Sequence, residues 1–568
     1  MPLTPLPHGI TFTEVGYSAP GGGVDPQPIV LGPLTLSAAT APVDAEAGTV
    51  IGLIQGKTAG SSLSITPNDG RVVLAGDDVG GWSLVVGLTA ASEGELLVTI
   101  RETHPDAEGP SDNLVAITLT PPMGVPLVLP PSGFGWTDYP FEIRRAGSLF
   151  TSVFSFTSAY DTTRPTPDLT IYVGPGGSDA NDGLTYAARK RSLNAAVLAA
   201  QAATTTGRVL AAGGLYAKSS GHSLDAPTIT KQTIIESYDG QPVVSLRDEV
   251  MPSWVQHGAT NYYKSTYTTE LPGNFAVDLS NLDADGDPQP LAPLVAAPAN
   301  PLDPIAELDA RLAAFPTLGC SYKDATNKVF WVRTFDGRAP DANLVVTETA
   351  GPHINVYTTT QRKVWAQDLK LIGGLRGVYV GSGDSGGQQH HAYLRRVKVI
   401  ATNNNGIRGE TAASVLMISE YCATKHIWSD GFSYTNGFCA ELGCVSDWCA
   451  WDGLSTSNAM TLHGNAKGIS VNGLYKRAGR VIAHVNATEH WLLGSSFGAS
   501  RLTSGPFGTS TPLYLGGTGN TTKMWADCCT VLPGSVNAPT SASPAEFRWS
   551  AITGWVPSGS GVIGEYTP

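Results

Sequence analysis

The chain of 568 residues carries 35 Lys and Arg against 48 Asp and Glu, a net charge of −13, and 42% of its residues are hydrophobic while 15% are charged. This apolar content excludes a disordered chain, and the length calls for several domains or one large repeat domain with appendages. The acidic balance, with basic clusters no longer than Arg189-Lys190-Arg191, excludes a nucleic-acid partner, because neutralising phosphates needs a basic footprint.

Residues 1–33 are rich in Pro and Gly and are expected to form an extended arm. The start, Met1 to His8, has neither a basic n-region nor an apolar h-region, so no secretory signal is expected. No run approaches 18 apolar residues, and no membrane insertion is expected. Residues 34–121 hold short alternating segments such as Arg71-Val72-Val73-Leu74, Leu96-Leu97-Val98-Thr99-Ile100 and Leu114 to Leu119, which predict a seven-strand type of sandwich. Through Val43 to Gly52 and its final strand, this stretch resembles bacterial cadherin-like modules. It lacks their acidic runs, with only His104-Pro105-Asp106 near the expected place, so no calcium is predicted there.

Residues 122–168 read as a Pro-rich linker. The strand Ile171-Tyr172-Val173 follows, then the loop Gly177-Ser178-Asp179-Ala180-Asn181-Asp182-Gly183, then a helix over 191–203 with Leu193, Val197 and Ala200 on one face. Residues of about 246–350 interrupt the pattern with a helical stretch at Ile305 to Leu312 and a hairpin around Asp324 to Lys328. Between Leu369 and Leu454 a unit recurs: an alternating apolar stretch, then Gly377-Val378-Tyr379-Val380, Gly406-Ile407-Arg408, Asp430-Gly431-Phe432-Ser433 or Asp452-Gly453-Leu454-Ser455. The glycines are spaced 29, 25 and 22 residues apart. Short strands at such a period predict an all-β chain built on a single-stranded parallel β-helix. The repeats fade after about residue 504, leaving 505–568 as a cap or oligomerisation region. Of the seven cysteines, Cys422 and Cys444 occupy one place in successive units and read as stacked buried thiols. Neither a disulfide framework nor a metal site is predicted.

The strand, Gly-Ser-Asp loop and amphipathic helix of 171–203 resemble the entry of right-handed parallel β-helix proteins, including pectate-lyase-like enzymes and phage tailspikes. The runs Asp430 to Tyr434, Gly443 to Asp447, Leu462-His463-Gly464, Ile469 to Gly473 and Asn486 to Gly494 are similar to β-helix proteins of phages and prophages. A common form there has His-Asp-Gly where this chain has His463-Gly464, so one acidic group is missing. The resemblance implies a right-handed β-helix behind an N-terminal β-sandwich, in a tail or head spike that engages host surface polysaccharide. It also implies a homotrimer joined to other virion proteins by its N-terminal region. No cofactor is implied.

Chemistry rests on carboxylates. Asp430 and Asp452 sit one unit apart, and parallel strands about 4.8 Å apart could bring them to the separation that glycoside hydrolysis uses. Asp before Gly is also ordinary turn chemistry. Glu420 and Glu441 form a second pair, expected to point outward beside the thiols, with Asp447 near. His463, His484 and His490 are candidate general bases or hydrogen-bonded structural residues. Trp428, Trp448, Trp451 and Tyr434, with Arg408, offer aromatic and cationic groups for sugars; packing between the insertion and the repeats, or between chains of a trimer, is the alternative use of the aromatics. A free lyase would need Arg408 or Lys425 beside a calcium-binding carboxylate cluster, and no such cluster is expected. The readings are a polysaccharide-binding spike that could also cleave its glycan, a free lyase or glycoside hydrolase, and a purely structural virion component.

Overall fold

The computed structural model describes residues 31, 34–37, 40–42, 50–66, 71–77, 81–86, 94–104, 110–120, 126–154, 165–249, 251–267, 272–358, 360–381, 389–410, 415–452, 457–498, 511–516, 522–533, 540–542, 545–554 and 562–565. The expected arm, apart from residue 31, and the Gly453-Leu454-Ser455 unit lie outside them.

The chain is all-β, dominated by three long sheets with parallel pairing. From Pro352 onward it visits them in rotation. Lys363–Gln367 lies in the first sheet, Leu369–Gly373 in the second and Arg376–Gly381 in the third, and the next three strands pair in parallel with these. Among the described residues the first sheet has twelve strands and the third has eight. The parallel run continues to Val562–Glu565, so the repeats do not fade near residue 504: Thr522–Asp527, Thr530–Leu532 and Thr540–Ala542 are the three strands of a further turn of the same rotation.

A single-residue corner joins the first sheet to the second. Asp368, Arg396, Tyr421, Gly443, Asn472, Gly494 and Cys528 all hold φ between 49° and 64° there. L-residues enter this left-handed region at a cost that glycine avoids. At Gly443 there is a second reason, since a Cβ would come within 2.7 Å of the Tyr421 ring. After five of these corners an apolar residue or thiol points inward: Leu369, Val397, Cys422, Cys444 and Cys529 are buried in one apolar core shared by all three sheets. The stacked pair Cys422 and Cys444 is therefore present, and Cys529 extends its column.

At the start of this core, helix Leu193–Ala200 buries Leu193, Ala196, Val197 and Ala200. Ser192 caps it by accepting the Ala195 N–H, and Asp179 of the Gly-Ser-Asp loop accepts the N–H groups of Arg191 and Ser192 at 3.0 and 2.8 Å. The helix covers core that the first strands would otherwise leave wet.

Two of the three sheets are covered on the outside. Residues 126–154, expected to be a linker, instead form a strap with the hairpin Glu142–Ala146 and Leu149–Val153. Its Phe134, Trp136, Phe141, Ile143 and Phe150 pack on Trp365, Tyr393, Ile418, Leu442, Ile469, Trp491 and Trp525 of the first sheet. The insertion leaves the second sheet at Glu249 and returns through Leu344–Glu348, antiparallel to Pro272–Leu282. It carries helix Ile305–Ala314 and the hairpin Cys320–Asp324 with Val329–Arg333, and Phe275, Val277 and Phe315 cover Leu246, Ile372 and Ile400. The described residues of the N-terminal part form two four-stranded sheets, one more strand than expected, around Ile51, Val72, Leu84, Val98, Ile100 and Ile117.

Candidate functional site

Asp430 and Asp452 do not stack. Phe432 pairs with Met460, so the residue facing Asp430 one turn later is Asn458, because the connection before the strand of the third sheet is ten residues long there against six in the turn before. Asn458 donates its backbone N–H to Asp430 Oδ1 at 2.8 Å, and Asn405 Nδ2 donates to Oδ2 at 3.3 Å. Asp452 accepts from Ser457 Oγ at 2.5 Å. Burial pushes the Asp430 carboxyl up to about 6, against the hydrogen bonds from Asn458 and Ser433 and the charge of Arg408; Asp452 adds to the rise. A carboxyl in that range can donate a proton near neutrality. Asp430 is only 7% exposed and both its oxygens hold the turn, so its geometry is that of a structural carboxyl.

Glu420 and Glu441 are not equivalent. The register pairs Ser419 with Glu441 and Glu420 with Leu442. An offset of one residue in a strand reverses the face. Glu420 lies outward under the strap and is held by Arg395 Nε at 2.5 Å. Glu441 points inward rather than outward, into the core. There Tyr475 donates its hydroxyl to Glu441, Tyr475 and Ser470 are 3.0 Å apart, Ser470 and His490 Nε2 2.9 Å, and His490 and His484 2.8 Å. Burial pushes Glu441 up to about 7 and His484 down to about 3. This polar chain is closed inside the core, where Glu441 Oε1 and His484 Nδ1 are buried without a hydrogen-bond partner. Tyr434 is in the same interior.

The three tryptophans do meet, at the seam between the insertion and the second sheet. Trp451 is fully buried against Phe315 and Phe275, and Trp428 packs edge-on to Phe275. Trp448 lies parallel to His426 and near-parallel to Trp451 and carries the Arg477 guanidinium 4.5 Å from its centroid. Arg477 also binds Asp447, at 2.6 Å from Nε to Oδ1. Their faces are spent on packing. Beside them opens a cleft of about 560 Å³, lined by Asp283, Asp285, Gln289, Phe315, Lys425 and Trp448 among others.

A carboxylate cluster that sequence reasoning missed borders this cleft. Asp283, Asp285 and Asp287 bring oxygens within 4.8 Å of one another. Lys425 Nζ sits among them at 3.0, 2.6 and 2.8 Å, and Lys370 and Lys398 also reach Asp287. Burial favours the neutral Asp287, yet the bonds from Lys370 and Lys425 hold it down to about 2. The alternating spacing Asp283-Ala284-Asp285-Gly286-Asp287 was the available signal. A lysine ammonium occupies the position a divalent cation would take, and the cluster pins the insertion to the second sheet.

The third sheet is the one whose outer face no apolar cluster covers among the described residues. Val378, Ile407, Phe432 and Met460 point inward; Tyr379, Arg408, Ser433 and Thr461 alternate with them and point out. Arg408 donates to Asn405 Oδ1 at 2.7 Å and to Glu410 at 2.5 Å. His463 is two residues past Thr461 on the same side; burial and the charge of Arg408 push it down, against Glu410. Two residues that sequence reasoning passed over lie here too. Tyr357 is 47% exposed and stacks on Tyr379 at 6.1 Å, and Arg376 lies over Tyr379 at 4.7 Å. A Cβ at Gly381 would come within 2.7 Å of the Tyr379 hydroxyl, so glycine allows that ring to lie along the sheet. Ser433 and Thr461, on the next two turns, are buried. Of the predicted site residues, this face holds Arg408 and His463, with Asp430 and Asp452 at its edge.

No family model matches this chain, and no curated protein matches it at a significant level.

Proposed function

We propose that the three sheets are the faces of a right-handed parallel β-helix, and that the protein is a phage-type spike that binds host surface polysaccharide on the outer face of the third. The rotation of the chain through three parallel sheets supports the β-helix. Membership of a virion and assembly as a homotrimer through family-like contacts come with the same proposal.

One observation carries the binding reading: the strap and the insertion cover two faces, and the third exposes tyrosine rings beside arginine and carboxylate groups. Aromatic faces stack on the apolar faces of sugars while charged and amide groups take hydroxyls. Binding is favoured over cleavage, because Asp430, the carboxyl with the most suitable titration range, is buried and committed to the turn.

The test is incubation of purified full-length protein with capsular polysaccharide and lipopolysaccharide preparations. Retention on the glycan that weakens in Tyr357→Ala, without new reducing ends or unsaturated uronate absorbance, is the expected outcome. Product that disappears in Asp430→Asn would make the protein a depolymerase. Absence of both binding and product would leave a structural component.

A further inference from the structure

On the proposed glycan-binding face one cation has no directly bonded counter-ion among the described residues. The Arg376 side chain makes no hydrogen bond or ion pair among the described residues, and its Nε is buried without a partner. Its guanidinium lies 4.7 Å from the Tyr379 centroid. Its neighbour Arg408 is different, since Glu410 and Asn405 occupy its Nη atoms. Burial, and then the like charge of Arg408, disfavour the charged form of Arg376, and Tyr379 and the Glu410 carboxylate that Arg408 already holds offset this only in part. Two arginines in mutual repulsion, one unpaired, are unfavourable on a protein surface unless an anion completes them. The chain as a whole is acidic, at −13, so this local excess of positive charge is not a general property of its surface.

We propose that Arg376 is the anchor of a subsite for a carboxylate-bearing sugar, with the exposed ring of Tyr357 stacking on that sugar or its neighbour. The fork of N–H groups on arginine matches a carboxylate in two parallel hydrogen bonds. Tyr357 and Arg376 flank the same Tyr379 ring, at 6.1 and 4.7 Å from its centroid, so a sugar stacked on Tyr357 has its substituents within reach of the guanidinium. A tyrosine next to a cation already held over an aromatic face gives a site prearranged before the ligand arrives. The inference rests on the glycan reading and adds the class of glycan: uronic-acid, sialic-acid or pyruvylated polymers rather than neutral ones.

The test uses full-length protein against two immobilised panels in buffer of physiological salt: alginate, polygalacturonate, hyaluronan and polysialic acid, and dextran, mannan and galactan. Wild type is expected to bind at least one acidic polymer and to lose roughly 10- to 100-fold in affinity when the carboxyls of that polymer are reduced to alcohols. Arg376→Gln is expected to lose the same factor on the acidic polymer and nothing on the reduced one, while Arg376→Lys retains part of it. Unchanged thermal unfolding of both variants separates loss of the subsite from loss of fold. Binding confined to neutral polymers, or equal affinity before and after reduction, overturns the subsite and leaves the glycan reading standing. Binding to neither panel overturns both.

Discussion

At the scale of single residues, Asp430 shows how a turn residue acquires an unusual carboxyl. Its position before Gly431 is set by the corner into the third sheet, and its oxygens tie that corner to Asn458 and Asn405. The raised pKa of about 6 follows from burial, and it has a consequence for stability. Folding favours the protonated form, so the contribution of this group is complete below the ordinary carboxylate range near 4 and is lost as pH rises through about 6. The stability of wild type relative to Asp430→Asn is therefore expected to fall between pH 4 and pH 8, by up to about 3 kcal/mol. Urea midpoints of the two proteins across that range measure it, and a constant difference would contradict the assignment. The residue scale also explains why the tryptophans fitted two readings. Trp428, Trp448 and Trp451 are clustered in sequence, as a sugar platform would be, but a seam between two layers needs large flat side chains for the same reason, namely apolar area.

Among the elements, the strap of residues 126–154 is the part least visible in composition. Its many prolines suit an extended segment, yet it also carries Phe134, Trp136, Phe141, Ile143 and Phe150, all buried. Those residues meet outward-facing Trp365, Tyr393, Trp491 and Trp525, which would leave a large wet apolar patch on an uncovered sheet. Trp136 lies 5.1 Å from Phe438 and forms edge contacts with Tyr139 and Phe141. Trp136→Ala is expected to cost roughly 3–5 kcal/mol and to open the strap to proteolysis. Limited trypsin digestion should then cut at Arg144 or Arg145 before the three-sheet core is attacked; a strap as resistant as wild type would refute its packing role. The carboxylate pairs fail at this same scale. Spacings of 21 and 22 residues suggested stacked positions, but one offset residue sends Glu420 and Glu441 to opposite faces, and one longer connection replaces Asp452 by Asn458 opposite Asp430.

Across the whole molecule, two apolar cores are separate. The N-terminal sheets share Leu84, Val98, Ile100 and Ile117, and none of these belongs to the core of the parallel sheets. Calorimetry should accordingly resolve at least two transitions. Leu84→Ala, which removes a fully buried side chain, should lower only one of them, by the roughly 2–5 kcal/mol typical of such a cavity. A single transition, shifted as a unit by Leu84→Ala, would mean that the two parts unfold together.

Strand alternation, glycine spacing and the Gly-Ser-Asp entry determined from the sequence alone that the chain is β-rich, repeats as short strands, and has a capping helix with Leu193, Val197 and Ala200 buried; Cys422 and Cys444 were legible as neighbours for the same reason. These features depend on contacts that recur at a fixed local period, and such a period is written in the order of residues. The tertiary structure alone decided which carboxylates meet, which sheet stays uncovered, and where Arg376, Tyr357 and the Asp283, Asp285 and Asp287 cluster come to lie. Each of those depends on register across turns of unequal length, or on segments more than a hundred residues apart. A shift of one residue reverses a side chain, and no local pattern records that.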